Sequence, residues 1–239
     1  MVAAIHEKNA PIRYIQFIAR SRHRSQFSSG INRVGPSTCR CAWRGLPRVG
    51  TLVRASHLTI MAKEQTAVFG GGCFWCIEAV FQRLTGVTQV ESGYMGGRPD
   101  QATYRQVCNG DTGHVEVVRI TFAPDQISYR DLLDVFFAVH DPTTLNQQGN
   151  DAGEQYRSVI FYNDEEQQKI AENTISELTA AKAFSDPIVT AVDPAEEFHA
   201  AEGYHQNYYN ENSRQPYCMF VISPKLAKLE KKFAEKLRA

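Results

Sequence analysis

From residue 63 onward, apolar positions switch repeatedly between a period of two and a period near 3.6. Thr66, Ala67, Val68 and Phe69 form a β-type run that ends in Gly70, Gly71 and Gly72. Beyond Cys73, apolar residues at Phe74, Ile77, Phe81 and Leu84 mark one face of a helix. Val87 to Tyr94 reads as a second strand, Thr103 to Asn109 as a short helix or turn, and His114 to Phe122 as a strand. Ser128 is placed to cap a helix that runs to Val139. Arg157 to Tyr162 is a strand pattern. Asp164 caps a helix to Ala181 whose first turn is acidic, as the helix dipole favours. Ile188 to Ala191 reads as a short strand, and Ser223-Pro224 opens a terminal helix with proline at its first position. Strands interleaved with helices predict a two-layer α/β arrangement. The stretches 95–102, 141–156 and 193–218 are left as long loops, where functional side chains tend to collect.

The charge pattern divides the chain. The 239 residues carry no net charge. Residues 1–62, however, hold ten Lys and Arg, nine of them Arg, against the single acid Glu7. Residues 63–239 hold sixteen Lys and Arg against twenty-five acids, so the halves stand at +9 and −9. An Arg-rich, acid-poor segment with six serines and no sustained period has the composition of an organelle transit peptide. A nucleic-acid-binding arm is the alternative, but such arms cluster lysines too, and this one has a single Lys. No apolar run is long enough for a membrane span. The expected organisation is therefore a transit peptide over 1–62, cut near Arg54-Ala55-Ser56, and one catalytic domain over 63–239. The plastid is the expected destination, with the mitochondrion as alternative, and a start at Met61 would leave the protein in the cytosol. Two of the six cysteines, Cys39 and Cys41, would leave with the transit segment. The other four in a reducing compartment do not suggest a disulfide framework.

Cys73 carries the strongest chemical signal. It falls where a strand turns through glycines into a helix. Free backbone N–H groups and the positive end of the dipole at a helix start stabilise a thiolate, the reactive form of cysteine. Cys76 lies three residues on, close enough on a helix to meet it. A buried inert thiol is the plain alternative. A zinc site would need two more ligands, and Cys39 and Cys41 lie in the removable segment. A thioredoxin-like disulfide oxidoreductase would also place Cys-x-x-Cys after a strand. Gly70-Gly71-Gly72 and Gly96-Gly97 lack dinucleotide-binding spacing. Glu116 interrupts the mostly apolar strand HVEVVRI. Facing inward, its carboxyl would be pushed up by burial and hold a proton at neutral pH; facing outward, it is an ordinary surface acid.

GCFWC (Gly72 to Cys76) resembles the active-site signature of the A-type peptide-methionine sulfoxide reductases. SGYMGG (Ser92 to Gly97), TYRQVCNGDTGHVE (Thr103 to Glu116), GNDAGEQYRS (Gly149 to Ser158) and YHQNYY (Tyr204 to Tyr209) resemble that family's other signatures, in its order. The resemblance covers about residues 65–225. It implies an α/β (α+β) fold: a two-layer ferredoxin-like core with a mixed sheet and long irregular loops. It implies that Cys73 attacks the sulfoxide sulfur, giving a sulfenic acid and methionine, with Glu116 as the acid. It implies that Tyr104 and Tyr156 donate to the sulfoxide oxygen, that Asp151 orders the site, and that Phe74 and Trp75 receive the S-methyl group. Cys218, in QPYCMF, matches a resolving cysteine on a mobile C-terminal segment. Cys76 stands where the family more commonly has glycine, so the order of resolution between Cys76 and Cys218 stays open. Cys108 is expected to be a buried structural thiol. No bound cofactor is implied; the reductant would be thioredoxin, or dithiothreitol in vitro. The substrates would be oxidised proteins and free methionine sulfoxide in the S configuration, and a monomer is expected.

A fluorescent reporter fused behind residues 1–62 and expressed in plant or algal cells should enter plastids. A diffuse cytosolic signal would sink the targeting expectation, and a mitochondrial one only the choice of organelle.

Overall fold

The computed structural model describes residues 63–238, so the expected transit segment lies outside the described residues. Strand β1 (Gln65–Gly70) leads through Gly71 and Gly72 into helix α1 (Phe74–Phe81). Strand β2 (Val87–Met95) follows, then the single-turn helix α2 (Tyr104–Val107) and strand β3 (Val115–Phe122). Helix α3 (Tyr129–Val139) precedes a small hairpin of β4 (Gln147–Gln148) and β5 (Asp151–Ala152). Strand β6 (Val159–Tyr162), helix α4 (Glu165–Ala180), and short strands β7 (Ala191–Pro194) and β8 (His199–Ala200) come next. The chain closes with α5 (Tyr208–Asn212) and α6 (Ser223–Phe233).

The sheet order is β7-β6-β1-β3-β2-β8. The central strands β6, β1, β3 and β2 pair antiparallel with one another and are joined in the order β1-α1-β2-β3-α3-β6. This is the ferredoxin-like arrangement. β7 adds in parallel beside β6, so the sheet is mixed. Both helix starts that the sequence marks are capped. Ser128 Oγ accepts from Asp131 N at 3.1 Å while Asp131 Oδ2 accepts from Ser128 N at 3.1 Å. Asp164 Oδ1 accepts from Gln167 N at 2.8 Å. Each such cap contributes about 1 kcal/mol.

The sheet buries both faces, so β3 does not alternate between core and solvent. Val118, Ile120 and Phe122 join the main core with residues of α1, α3, α4 and α6. Val115 and Val117 join Val68, Met95, Val159 and Phe161 on the other face, under Ala191, Ala195 and Phe198. By the two-residue period, Glu116 shares the helix-side face with Val118 and Ile120.

Some expected boundaries shift. The strand read at Ile188 to Ala191 begins instead at Ala191. Its parallel partner starts at Val159, opposite Ala191, and Val189 N is already committed to Pro142 O at 2.8 Å. Residues 188–190 are thereby tied to the loop after α3. The segments read as loops also contain short order, namely the β4–β5 hairpin and α5. At Gly72 the backbone has φ +91°, and a Cβ there would lie 2.5 Å from Gln148 Cγ. Glycine is therefore required where β1 turns into α1, and Gln148 of the hairpin packs directly on that turn.

Candidate active site

Glu116 and Cys73 meet at one end of the sheet. Cys73 is the residue before α1, and β3 brings Glu116 beside it. The Phe74 N–H, the first free donor of α1, donates to Glu116 Oε2 at 3.0 Å. Around this pair lies a cavity of about 170 Å³. Cys73, Phe74, Trp75, Tyr104, Glu116, Asp151 and Tyr156 line it, together with Tyr217. Seven residues singled out from sequence thus converge on one small cavity.

Tyr217 was missed. Its hydroxyl donates to Asp151 Oδ2 at 2.8 Å and lies 3.6 Å from Cys76 Sγ. It therefore ties the hairpin, α1 and the C-terminal segment together at the site. The available signal was its place in Pro216-Tyr217-Cys218, directly before a cysteine already under suspicion. Tyr208 and His205 were also missed. Tyr208 stacks on Trp75 with ring centres 3.7 Å apart and planes 7° apart, and His205 lies 5.1 Å from Phe74 and 4.4 Å from Tyr104. The density of aromatics in YHQNYY was the hint.

The electrostatics follow from burial. Glu116 is 2% exposed. Burial pushes its carboxyl up to about 8, against the Phe74 N–H, which favours the anion, and with the repulsion of Asp151 added. At neutral pH it holds its proton. The Tyr104 and Tyr156 hydroxyls are pushed up by burial, the first further by its hydrogen bond with Cys108 and the second by the Glu116 charge. The Tyr217 hydroxyl is raised by burial and by the Cys73 charge. All three remain donors.

The expected helix-start activation of Cys73 is not what the structure holds. Burial, the hydrogen bond to Cys76 and the Glu116 charge push its thiol up. Burial outweighs the helix start, where the Cys73 side chain makes no cap hydrogen bond. Cys76 moves the other way, down to about 6, chiefly because Cys73 donates to its sulfur.

Two further cysteine expectations change. Cys108 is exposed, not buried. Helix α2 makes only one turn and buries only Val107, so the next residue faces solvent. Cys218 is fully buried and belongs to a helical segment, not a mobile coil. It is the first residue of a π-helical turn, Cys218–Ile222, that runs directly into α6. Cys218, Ile222, Leu226 and Leu229 are all buried in the core that holds Cys73 and Cys76. Apolar residues at this spacing continue the helix backward past Ser223-Pro224.

The raised Glu116 carboxyl makes a stability prediction. Between its ordinary 4.5 and about 8, the folded protein keeps a proton that the unfolded chain has released. That stability is fully present below the unfolded value and is lost as pH rises through the folded one. Glu116→Gln cannot ionise, so its Tm should match the parent near the acid end and exceed it above about pH 8. Thermal unfolding across that range checks this; a parent Tm that does not fall relative to the variant contradicts a buried, protonated Glu116.

Comparison with known proteins agrees with this geometry. The family model for peptide methionine sulfoxide reductase matches residues 65–237. Peptide methionine sulfoxide reductase MsrA of Chromobacterium violaceum is 58% identical over 174 residues, covering 73% of this chain and 99% of its own. That of Deinococcus radiodurans is 56% identical over 177 residues, covering 74% and 86%. Among solved structures, Mxr1 from Saccharomyces cerevisiae in reduced form superposes with TM-score 0.61 at 33% identity, over 66% of this chain and 90% of that one. Methionine sulfoxide reductase A of Corynebacterium diphtheriae gives TM-score 0.55 at 34% identity, over 62% and 75%. A matching family model over most of the chain, relatives this similar and a ferredoxin-like core with one aromatic-lined thiol cavity lead to one conclusion: the chain belongs to the peptide methionine sulfoxide reductase family.

Proposed function

We propose that the protein reduces the S epimer of methionine sulfoxide, in proteins and as the free amino acid, with Cys73 as nucleophile and Glu116 as acid. The observation that carries this reading is the buried Glu116 carboxyl, pushed up by burial and held beside Cys73 in a small cavity. Trp75 and Phe74 supply apolar surface for the S-methyl group, and Tyr104 and Tyr156 supply hydroxyl donors for the oxygen. With methyl and oxygen each assigned a wall, only one configuration at sulfur presents itself to Cys73. Cys73 passes its proton to Cys76 as its sulfur attacks, and Glu116 protonates the sulfoxide oxygen. The S–O bond breaks, oxygen moves to Cys73 as a sulfenic acid, and methionine leaves. Cys76 or Cys218 then displaces water from the sulfenic acid to form a disulfide, which thioredoxin, or dithiothreitol in vitro, reduces by exchange. Asp151 orients Tyr217. No bound cofactor takes part in these steps. The reading extends to a monomer delivered to the plastid by residues 1–62, with the mitochondrion as alternative.

A disulfide oxidoreductase reading fits less well. Such an enzyme offers its first thiol to protein partners, whereas Cys73 is 8% exposed at the wall of a cavity.

Incubating the protein with each epimer and dithiothreitol should yield methionine from the S form alone, and Cys73→Ser should yield none. Glu116→Gln should slow the reaction by roughly 10²-fold. Equal turnover of both epimers, or an active Cys73→Ser variant, removes the assignment.

Cys76→Ser and Cys218→Ser should each retain one stoichiometric turnover, because Cys73 alone performs oxygen transfer. Sustained turnover with thioredoxin should suffer more in Cys218→Ser. Should Cys218→Ser cycle like the parent while Cys76→Ser does not, resolution belongs to the Cys-x-x-Cys pair alone.

A further inference from the structure

Glu78 is a carboxylate that the chemistry above does not use. It lies on α1, is 1% exposed, and sits one turn beyond Trp75 on the same helix face. A buried carboxylate is a costly way to fill space, and a leucine of similar volume would fill it more cheaply. Its two oxygens have separate duties. Oε1 accepts from Asn207 N at 2.8 Å and Oε2 accepts from Tyr208 N at 3.2 Å. Asn207 holds the left-handed conformation, φ 55°, which a non-glycine residue keeps only when its surroundings impose it. Directly after it comes Tyr208, whose ring lies flat on Trp75, and two residues before it comes His205, whose ring lies 5.5 Å from that of Trp75. One carboxylate on α1 thus fixes the segment whose two rings pack against the aromatic wall of the cavity.

We propose that Glu78 is a positioning residue for sulfoxide binding: it sets Trp75 through the Asn207–Tyr208 backbone and the Tyr208 ring. This rests on the proposed role of Trp75 at the S-methyl group. Glu78 touches neither substrate nor Cys73. Its loss should therefore weaken recognition and leave the thiol's own reactivity alone. Glutamine has one acceptor oxygen and would turn an NH₂ toward one of the two backbone donors, so Glu78→Gln releases one end of the clamp.

The test uses the full chain with Trp43→Phe, which leaves Trp75 as its one tryptophan. Turnover of an S-methionine-sulfoxide peptide with dithiothreitol is measured beside Trp75 emission and the rate at which iodoacetamide alkylates Cys73. For Glu78→Gln the expected result is a KM raised about tenfold with kcat changed less than about threefold. Emission should move to the red, and alkylation should stay at the parent rate. Tyr208→Leu keeps the carboxylate but removes the ring, and should give the same KM and emission changes. The double variant should be no worse than the worse single one, since both act through one wall. A native KM in either single variant, additive losses in the double, or a fall in alkylation rate matching the loss of turnover would overturn the proposal. If Glu78→Gln does not fold, Tyr208→Leu decides alone: a native KM and native emission there reject it. An inactive parent would instead reject the functional reading itself.

Discussion

The hydrogen bond from Phe74 N to Glu116 Oε2 is the constraint on which the site depends. It crosses from the first turn of α1 to the start of β3, and it places a carboxyl and a thiol side by side. A helix start offers its unpaired donors to whatever faces them. Here the Glu116 carboxyl takes the first of them. The bond favours the anion, yet burial outweighs it and the carboxyl stays protonated at neutral pH. The same N–H fixes where that carboxyl sits. Position comes from one interaction and protonation from another.

Beside that carboxyl, Cys73 is hydrogen-bonded to Cys76, and burial pushes its thiol up. A glycine at position 76 would leave Cys73 with Glu116 and Tyr217 as its polar neighbours. Cys76 therefore changes the acid–base surroundings of Cys73 as well as offering a second thiol. Tyr217 couples this pair to Asp151, so the hairpin that buttresses Gly72 and the C-terminal turn report to the same two sulfurs.

Most of this was legible from local sequence, and the limits have physical reasons. The strand–glycine–helix junction, the Ser128 and Asp164 caps, and the core of βαββαβ elements follow from periodicity and short-range chemistry. The start of β7 was misplaced because its register is set by Ser158 and Pro142, both far away in sequence. Glu116 could be read either way until both faces of β3 were known to be covered. Tyr217 and Tyr208 are ordinary tyrosines until tertiary contacts give them partners. The thiol acidity at Cys73 was misread because its burial is set by residues distant in sequence, Glu116, Tyr156 and Tyr217 among them. The burial of Cys108 and the helical setting of Cys218 were misjudged for a shared reason. In each case the outcome depended on whether the neighbouring helical segment was too short to cover the thiol or long enough to enclose it.

The enclosure of Cys218 ties its reactivity to a local opening of the chain. A sulfur at the first position of a π-helical turn, with no exposed surface, is covered while that turn is intact. π-Helical turns are irregular insertions in an otherwise regular ladder, and they are common at functional sites. A disulfide formed at Cys218 would meet any reductant, protein or small thiol, in the opened state, so its rate of exchange would follow how often the start of this helix gives way.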